Sequence, residues 1–542
     1  MKSIIDSILP QIRKPARYIG NELNSIHKDW EPVRLRVLLA YPDLYEVGMS
    51  NLGIQILYHI LNLKDDVLAE RVFAPAQDME EKLKENNIPL FSLESWTPAD
   101  KFDLIGFSLG HELTYTNLLN MLALSKIPLR SKDRTNDHPL VFAGGPCAMN
   151  PSPIEDFIDF FVIGEGEEVI LEIAELIAGM KSENKDLKLE KLSKTPGIYV
   201  PSIGNKTTKR YVKDFNSVPY PTKPIVPFIS AIHDRAVVEI MRGCKHMCKF
   251  CSACIGYNPV RMKKPEKVIE LALEILKNTG YEDLSLISLS SSDYTQIEEV
   301  AKFLAKKIEP NKVSLSLPSL RLDSFSLKLA KEIQRVRPTS VTMAPEAGTQ
   351  RLRDVVGKKL SKQDIIEGAR AAFSEGITNL KLYFMIGLPT ETFTDIEAIA
   401  ELARKVSGIG REYSQRAHVT ASVSTFIPKP HTPFERERQI SLEEIIERQK
   451  YLKQNLKGRG LELRWHDAKT SILEGAFSRG DKKLSEVIEK AYLLGARFDA
   501  WSEYFKFEIW EQAFNECGSS MNSYLEEIDE KKELPWAKIT LR

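Results

Sequence analysis

Hydrophobic and polar positions follow an alternating strand and helix pattern from residue 31 to about residue 180. A strand is predicted over residues 33–41, where the apolar run is typical of a strand covered on both faces. Helical spacing follows over residues 52–61. Further strands are predicted at 103–109, 140–143 and 157–163, with helices at 116–124 and 167–180. Strands and helices that alternate across short turns predict a doubly wound, Rossmann-like parallel sheet.

A second alternating region runs from residue 236 to 435, after a proline-punctuated linker over residues 181–235. Its six strands are predicted at 236–241, 283–289, 312–317, 340–344, 379–386 and 418–425. A closed α/β barrel has eight strands, so six predict a partial, open (β/α)6 TIM-like barrel. Residues 1–30 read as an amphipathic lead-in. Residues 436–542 form a mostly helical C-terminal region, which a capping box at Ser441 and Glu444 opens.

Composition narrows the class of protein. A chain of 542 residues is too long for one hydrophobic core, which agrees with several domains. The 75 basic and 75 acidic residues cancel, so a chain-wide basic field for nucleic acid is absent. The N-terminus has no continuous apolar segment, and no stretch of 18 apolar residues occurs. We therefore expect a cytoplasmic protein without a membrane partner.

Four of the six cysteines fall within eleven residues, directly after the first predicted barrel strand. Cys244, Cys248 and Cys251 follow the spacing Cys-x3-Cys-x2-Cys, and such thiolates can converge on one iron–sulfur cube. Three thiolates leave one iron open to a substrate or cofactor. The alternative is a structural zinc or a closed cluster with Cys254 as the fourth ligand, although zinc sites more often use two separated Cys-x2-Cys pairs. Without that role, Cys254 reads as an inert buried thiol.

This motif after the first strand of a partial barrel resembles the radical S-adenosylmethionine (SAM) superfamily, and Phe250 matches the aromatic position usual before the last cysteine. The resemblance implies that Cys244, Cys248 and Cys251 are the catalytic, metal-binding residues of a [4Fe–4S] cluster. It further implies that the open iron binds SAM. An electron from the cluster would cleave SAM to methionine and a 5′-deoxyadenosyl radical, which abstracts hydrogen from the substrate.

Segments at later strand ends resemble those that cradle SAM in the same superfamily. They place Arg321 after the third strand, Glu346 and Arg351 after the fourth, and Gly387 after the fifth. By this resemblance Glu346 accepts from ribose hydroxyls, Arg321 or Arg351 pairs with the methionyl carboxylate, and Gly387 admits the adenine. Where many relatives carry Gly-Gly-Glu for the SAM amino group, this chain has Ser290, Ser291 and Ser292 before Asp293, so the serine hydroxyls, the backbone or Asp293 would take that contact.

The N-terminal region resembles the cobalamin-binding domain fused to many radical SAM enzymes, an assembly that includes an uncharacterised subgroup. The resemblance rests on strand-end residues that would hold the cofactor: Asp43, Gly48, Ser108, Gly144 and Gly145. Domains that ligate cobalt use Asp-x-His-x-x-Gly, whereas here Tyr45 stands at the histidine position, and His111 is offset from it. The domain therefore either binds cobalamin without a protein imidazole or serves as a docking surface.

Three functions remain open from sequence. The first is a radical SAM enzyme that modifies an unreactive C–H position, with cobalamin-dependent methyl transfer as one form. The second is radical SAM modification of RNA or protein without cobalamin, with the N-terminal domain as a docking module. Methylthiolating members of the superfamily carry three further cluster cysteines in this domain, whereas here Cys147 alone precedes the barrel, which argues against that reaction. The third is a non-catalytic iron–sulfur or zinc protein. The two enzymes would need a reductant such as flavodoxin or ferredoxin, and the substrate stays unidentified. Trp465, His466 and Trp501 are read as helix packing or substrate contacts.

Overall fold

The N-terminal unit is built on a six-stranded sheet. A computed structural model describes residues 2–318 and 341–541. The strands of this sheet lie in the order β2-β1-β3-β4-β5-β6, parallel except for β6, which runs antiparallel to β5. Their bounds are Leu35–Tyr41 (β1), Val67–Phe73 (β2), Leu104–Ser108 (β3), Leu140–Gly144 (β4), Phe160–Val162 (β5) and Ile198–Tyr199 (β6). Because β6 comes from the predicted linker, the sheet extends beyond residue 180.

Helices cover both faces of this sheet, as the doubly wound prediction requires. Val37 and Leu39 of β1 join one apolar cluster, and Leu38 and Ala40 join another on the opposite face. Successive side chains of a strand point to opposite faces, so this division means that both faces are buried. The helices of the unit are Leu52–Asn62, Gln77–Glu85, Tyr115–Leu124, Val169–Gly179 and Lys185–Leu192, preceded by Lys2–Ile8 in the lead-in.

The predicted barrel strands form two parallel sheets, β12-β11-β8 and β13-β14-β15-β16. Their bounds are Ala236–Glu239 (β8), Asp283–Ile287 (β11), Ser314–Ser316 (β12), Val341–Glu346 (β13), Asn379–Ile386 (β14), His418–Thr425 (β15) and Leu461–Trp465 (β16). The described helices around them are Pro265–Thr279, Ile297–Ile308, Gln350–Val355, Lys362–Ser374 and Phe393–Tyr413. All six predicted strands are present, and β16 is a seventh that comes from the predicted helical region.

The C-terminal region is mostly helical, as predicted. Its helices are Leu442–Asn455, Ala468–Arg479, Leu484–Leu493 and Phe507–Glu516. Short strand pairs complete the molecule: β9 (Met241–Arg242) with β10 (Arg261–Met262), and β7 (Thr207–Thr208) with β17 (Ile539–Thr540). In the parts of the chain that the structure describes, none of the helices is both long and apolar enough to cross a bilayer.

Candidate active site

The cysteine loop begins immediately after β9 and folds back onto Asn258. Gly243 has a φ of 82°, and an added Cβ would lie 2.7 Å from the Asn258 Oδ1 atom, so glycine is required there. The Cys244 backbone N–H donates to that Oδ1 over 2.9 Å, and the Asn258 Nδ2 group donates to the Met247 Sδ atom over 2.8 Å. One side chain therefore holds two points of the loop. No motif in the sequence identified Asn258.

Cys254 lies beside two of the three motif cysteines. Hydrogen bonds from its thiol lower the pKa of Cys244 to about 6 and the pKa of Cys251 to about 7. Burial raises the pKa of Cys248, against the opposing charge of Lys358. Thiolates are the form that binds metal, so the loop favours the ligating state at two of its three positions.

The spacing of the sulfur atoms tests what these cysteines can hold. Among the described residues, no three of Cys244, Cys248, Cys251 and Cys254 have sulfur atoms that all lie within 4.8 Å of one another. The ligands of one tetrahedral zinc ion, with bonds of about 2.3 Å, would lie about 4 Å apart. The four thiols therefore do not form a compact tetrahedral set in the described chain, and cysteine thiolates are the ligands that hold iron–sulfur clusters.

The segment at the Gly-Gly-Glu position braces the cysteine loop from below. The Asp293 carboxylate lies 2.9 Å from the Lys245 Nζ atom and 2.7 Å from the His246 Nε2 atom. It therefore pairs with both residues that follow Cys244. Ser290 and Ser291 are buried, and the Ser291 hydroxyl lies 3.0 Å from that of Ser288. Ser292 is half-buried. The structure brings Asp293 to the cysteine loop, next to these serines in sequence, and the contact of this segment with SAM stays a prediction.

Glu346 and Lys358 form an ion pair next to Cys248. Glu346 ends β13 at a bulge in its pairing with β14, and its φ is 66°. The Lys358 Nζ atom lies 3.1 Å from its carboxylate, and the charges of both side chains act on the Cys248 thiol. Burial raises the pKa of Glu346, against the opposing effect of Lys358. Lys358 lies in no predicted motif, although a cation near the open corner of a cluster is chemically suited to the SAM carboxylate.

Phe250 packs at the barrel mouth, where it contacts the apolar cluster of Ala347, Leu352, Val356 and Phe434. The backbone of this part of the loop is tied to the barrel as well, because the Lys249 N–H donates to the Val356 carbonyl over 3.0 Å. The predicted aromatic position therefore anchors the cysteine loop to the strand ends.

The structure does not bring two other predicted SAM residues to the cysteines. Arg351 is half exposed and donates to Asp395 over 2.5 Å, on the helix Phe393–Tyr413. Gly387 has a φ of 81°, and an added Cβ would lie 2.6 Å from Ile440, so the close approach that this glycine allows is made by the protein itself. Arg321 lies outside the described residues. The SAM roles of these three residues stay predictions.

A cavity of about 460 Å³ lies between the carboxyl edge of the N-terminal sheet and the barrel. The N-terminal unit lines it with the glycine-rich ends of β3 and β4, which include the predicted residues Ser108, Gly144 and Gly145. The barrel lines it with residues that end β8, β9 and β11: Glu239, Met241, Arg242, Gly243, Ile287, Ser288 and Leu289. Ligands bind at this edge in open α/β sheets. Because Arg242 and Gly243 directly precede Cys244, the cavity reaches the cysteine loop.

The predicted cofactor residues in the loop after β1 pack against other parts of the protein and do not line this cavity. The Asp43 Oδ1 atom accepts from the Trp501 indole over 2.9 Å, and an added Cβ at Gly48 would lie 2.2 Å from the Phe73 ring. Tyr45 donates its hydroxyl to Glu22 over 2.9 Å. Asp43, Tyr45 and Gly48 are therefore not among the residues that line the cavity, whereas Asn51, which sequence reasoning missed, is.

A buried ion network connects the N-terminal unit to the strand that leads into the cysteine loop. Arg242 lies 2.5 Å from Glu167, 2.8 Å from Glu239 and 3.1 Å from Glu165. Arg261 adds a second cation, 2.6 Å from Glu165. Removal of one partner of a buried pair leaves an uncompensated charge, so this network is expected to keep the two units in register.

A second junction joins all three parts of the chain. Lys429, which follows β15, pairs with Glu112 of the N-terminal unit over 2.8 Å and with Glu474 of the C-terminal helix Ala468–Arg479 over 3.0 Å. His111 lies 3.6 Å from Glu474. The ligand atoms of His111, Glu112 and Glu474 lie within 4.8 Å of one another, but the Lys429 ammonium already provides the cation between the two carboxylates. Trp501, bound to Asp43, belongs to the same packing.

Comparison with known proteins places the chain in a family. Residues 53–201 match the family model for the N-terminal region of radical SAM proteins. Residues 238–403 match the model for the radical SAM superfamily. An uncharacterized protein of Methanocaldococcus jannaschii is 30% identical over 458 residues, which are 84% of this chain and 90% of that protein. A protein of Pyrococcus horikoshii named an uncharacterized methyltransferase is 25% identical over 50% of this chain and 59% of its own.

Two solved structures share the fold. The cobalamin-dependent S-adenosylmethionine radical enzyme OxsB, with aqua-cobalamin and S-adenosylmethionine bound, has a TM-score of 0.54 at 13% identity and covers 89% of this chain and 71% of its own. The radical S-adenosylmethionine methyltransferase TsrM of Kitasatospora setae has a TM-score of 0.50 at 14% identity, over 74% and 75%. With the cysteine loop, the strand-end segments and both matched regions in agreement, the chain belongs to the radical SAM superfamily.

Proposed function

We propose that the protein is a corrinoid-dependent radical SAM methyltransferase that acts on an unreactive carbon. The observation that carries this proposal is the cavity that the glycine-rich sheet edge shares with Arg242 and Gly243, the two residues before Cys244. A corrinoid placed there would lie between the N-terminal sheet and the cluster. The two solved relatives named above bind cobalamin or transfer methyl groups, which supports the same assignment.

The lining of the cavity fits a corrinoid that has no imidazole ligand from the protein. Glycines at positions 106, 110, 144, 145, 164, 166 and 243 expose backbone to the space, and the described lining residues include no histidine. Apolar side chains such as Leu39, Ile56 and Val169 extend the cavity between the sheet and its helices. A broad, flat ligand with a tail along the sheet edge suits such a surface.

The residues of the cysteine loop divide the remaining tasks. Cys244, Cys248 and Cys251 would hold a [4Fe–4S] cluster, which supplies the electron for reductive SAM cleavage when it is bound. Lys358 is placed to bind the SAM carboxylate beside Cys248, and Glu346 orients that ammonium. Asn258 and Asp293 hold the loop backbone and its charged side chains in place. A flavodoxin or ferredoxin is the proposed electron donor.

The proposal is tested by anaerobic reconstitution of the wild type, Cys248→Ala and Cys517→Ser. Cys517 is a half-exposed thiol far from the loop in sequence, so its variant is the matched control. We expect about four iron and four sulfide per chain in the wild type and control, and a loss of both in Cys248→Ala. With SAM and dithionite, the wild type and Cys517→Ser should form 5′-deoxyadenosine, and Cys248→Ala should form none.

The corrinoid is tested on the same samples with hydroxocobalamin. Binding seen in the absorption spectrum supports the cofactor. Methyl transfer is supported when the bound corrinoid, reduced to cob(I)alamin with titanium(III) citrate, takes a labelled methyl group from SAM and releases S-adenosylhomocysteine. A protein that forms 5′-deoxyadenosine but binds no corrinoid would reject the methyltransferase and favour the docking role of the N-terminal unit. A single zinc per chain, without iron, would reject radical chemistry altogether.

A further inference from the structure

We propose that the concave face of the barrel binds the substrate through an anionic group, a carboxylate or phosphate, which is held by Lys381 with Tyr383 and Arg464. This inference rests on the proposed function, because it names the substrate class of that same barrel. It concerns a surface separate from the corrinoid cavity and from the cysteine loop. Tyr383 begins the segment that contains Gly387 at the end of the fifth barrel strand, whereas Lys381 and Arg464 belong to no motif that the sequence singled out.

The two faces of the sheet β13-β14-β15-β16 differ in chemistry. Leu380, Leu382 and Phe384 of β14 are buried, and their side chains belong to the apolar cluster that contains the helices Lys362–Ser374 and Phe393–Tyr413. The alternate residues of the same strand, Lys381 and Tyr383, point to the opposite, concave face. The helix-covered face is the outside of an α/β barrel, so the polar face is its interior.

The strand register places the polar side chains in two layers. Lys381 pairs with Thr420 and then with Glu462 across β14, β15 and β16. Tyr383, Ser422 and Arg464 form the next layer towards the cysteine loop. Paired residues of parallel strands share a face, so these six side chains line one surface. Barrel interiors are ordinarily filled with branched apolar residues, and this one is polar and accessible instead.

Accessibility confirms that this surface is open. Tyr383 is 38% exposed, and the Arg464 side chain is 63% exposed. The Lys381 Nζ atom lies over the Tyr383 ring, 4.7 Å from its centroid, so the ammonium reaches from its own layer into the next. Lys381 and Tyr383 therefore present one combined binding element, a cation on an aromatic face.

Charge balance identifies the ligand class. Glu239 is paired with Arg242, Glu346 with Lys358, and Glu462 with Arg464 over 2.7 Å. Lys381 has no carboxylate within 4.0 Å among residues 2–318 and 341–541. Lys381 is a half-buried residue, and its ammonium has no counter-ion among those described residues. An anionic substrate group would supply that partner. Arg464, which pairs with Glu462 and lies two strands away on the same face, would add a second cation.

The position of this surface sets a length for the substrate. Tyr383 lies three residues before Ile386, where β14 ends, and the cysteine loop lies at that end of the barrel. Three residues of a strand span about 10 Å. We therefore expect the carbon that reacts to lie about 10 Å from the anionic group, because radical chemistry starts at the strand ends.

The test uses pyridoxal 5′-phosphate, an anionic aldehyde that forms an imine with a lysine amine and releases water. The reconstituted protein is labelled anaerobically without SAM, the imine is reduced with cyanoborohydride, and each lysine is quantified by peptide mass spectrometry. Lys405, an exposed lysine on the helix Phe393–Tyr413, is the internal control. Unphosphorylated pyridoxal is the control reagent.

We expect Lys381 to be labelled at about tenfold lower pyridoxal 5′-phosphate than Lys405, and to lose this preference with pyridoxal. In the Arg464→Met variant, labelling of Lys381 should need an about tenfold higher concentration of pyridoxal 5′-phosphate, and labelling of Lys405 should need the same concentration as in the wild type. Inorganic phosphate and glutarate are the competitors; protection by either supports the inference, and the stronger one identifies the anion. Iron content verifies that the variant is folded.

Two results would overturn the inference: labelling of Lys381 no better than that of Lys405, or preferential labelling that neither anion reduces. Since the assay needs neither SAM nor corrinoid, its outcome is separate from the test of the proposed function. A protein that cleaves SAM but shows no anion-dependent labelling would lose only this inference. A protein with the labelling but no SAM cleavage would lose only the proposed reaction.

Discussion

Arg71 is the centre of a buried ion cluster in the N-terminal unit. Its buried guanidinium lies 2.6 Å from Glu94 and 2.9 Å from Glu22, and Tyr45 donates to the same Glu22. The residue at the cobalt-ligand position of related domains is thus part of a buried ion cluster. The Tyr45 hydroxyl is therefore engaged by Glu22, and Tyr45 is not among the residues that line the adjoining cavity.

Glu70, the neighbour of Arg71, gives a pH-dependent prediction. Burial and the charge of Glu94 raise its pKa to about 7, from an ordinary value of 4.5. The native state therefore holds this proton more tightly than the unfolded chain does. The free energy of unfolding contributed by Glu70 should fall by up to about 3 kcal/mol as the pH rises from 4.5 through 7.

Glu70→Gln should remove that dependence. In urea denaturation, the variant should gain stability relative to the wild type between about pH 5 and about pH 8. Glu190→Gln is the control, because the exposed Glu190 carboxylate pairs with the exposed Lys194 ammonium, and such surface pairs contribute little to stability. Parallel stability profiles of Glu70→Gln and wild type over this range would contradict the pKa assignment.

At the scale of elements, the ends of β3 and β4 shape the cavity in which we propose that the corrinoid binds, and they do so by backbone proximity. Gly145 has a φ of 103°, and an added Cβ would lie 2.7 Å from the Leu109 carbonyl oxygen. The two loops therefore pack main chain against main chain. At Gly144, by contrast, an added Cβ would stand 3.6 Å from Val162, an ordinary contact distance. A side chain at Gly144 is thus tolerated by the sheet but must occupy the cavity.

We predict that Gly144→Leu weakens hydroxocobalamin binding by about tenfold, because overpacking costs of about 1–3 kcal/mol fall on the bound state. Titration followed by absorbance measures the affinity, and iron content should stay at the wild-type level. Gly179→Leu is the control, since no atom lies within 4 Å of an added Cβ there. Equal affinity in wild type and Gly144→Leu would place the corrinoid elsewhere.

At the scale of the whole molecule, the three regions share their cores. One apolar cluster contains Val37 of the N-terminal sheet together with Val238 and Leu284 of the barrel. A second contains Leu38 with Leu382 of the barrel and Trp510 of the C-terminal region. Regions that share a core do not move as separate domains. The cavity and the cysteine loop are therefore held at a defined separation.

Lys429 provides the polar counterpart of these shared cores, and its removal should loosen the assembly. Lys429→Met leaves Glu112 and Glu474 without their common cation, so we expect a loss of about 3–5 kcal/mol in the free energy of unfolding. Hydrogen exchange should rise in the segments around both glutamates. Lys482→Met is the matched control, because Lys482 also bridges regions, to Glu155 and Asp156, but its side chain is 62% exposed.

For the control Lys482→Met we expect the free energy of unfolding to change by less than about 1 kcal/mol. Urea denaturation compares the two variants with the wild type. If Lys429→Met were as stable as Lys482→Met, the junction would contribute no more than a surface ion pair, and the shared cores alone would hold the regions together.

The strands that the sequence did not predict have physical reasons. All seven residues of β2 are buried, yet Glu70 and Arg71 interrupt its apolar run, and their partners Ser95, Glu94 and Glu22 are remote in sequence. The strand β16 has neither a strong apolar run nor full burial. It forms because β15 offers a free parallel edge. Leu461 and Trp465 of β16 pair with Val419 and Val423 of that edge.

The sequence by itself determined the chemistry and the order of parts: the Cys-x3-Cys-x2-Cys loop after a barrel strand, the doubly wound sheet before it and the helices after it. These follow from spacing and periodicity, which are local along the chain. Tertiary structure alone decided which side chains meet. Lys358 lies beside Cys248, Arg242 lies among carboxylates that include Glu165 and Glu167, and Lys381 lies without a carboxylate among the described residues. These arrangements depend on residues distant in sequence, and periodicity carries no information about such contacts.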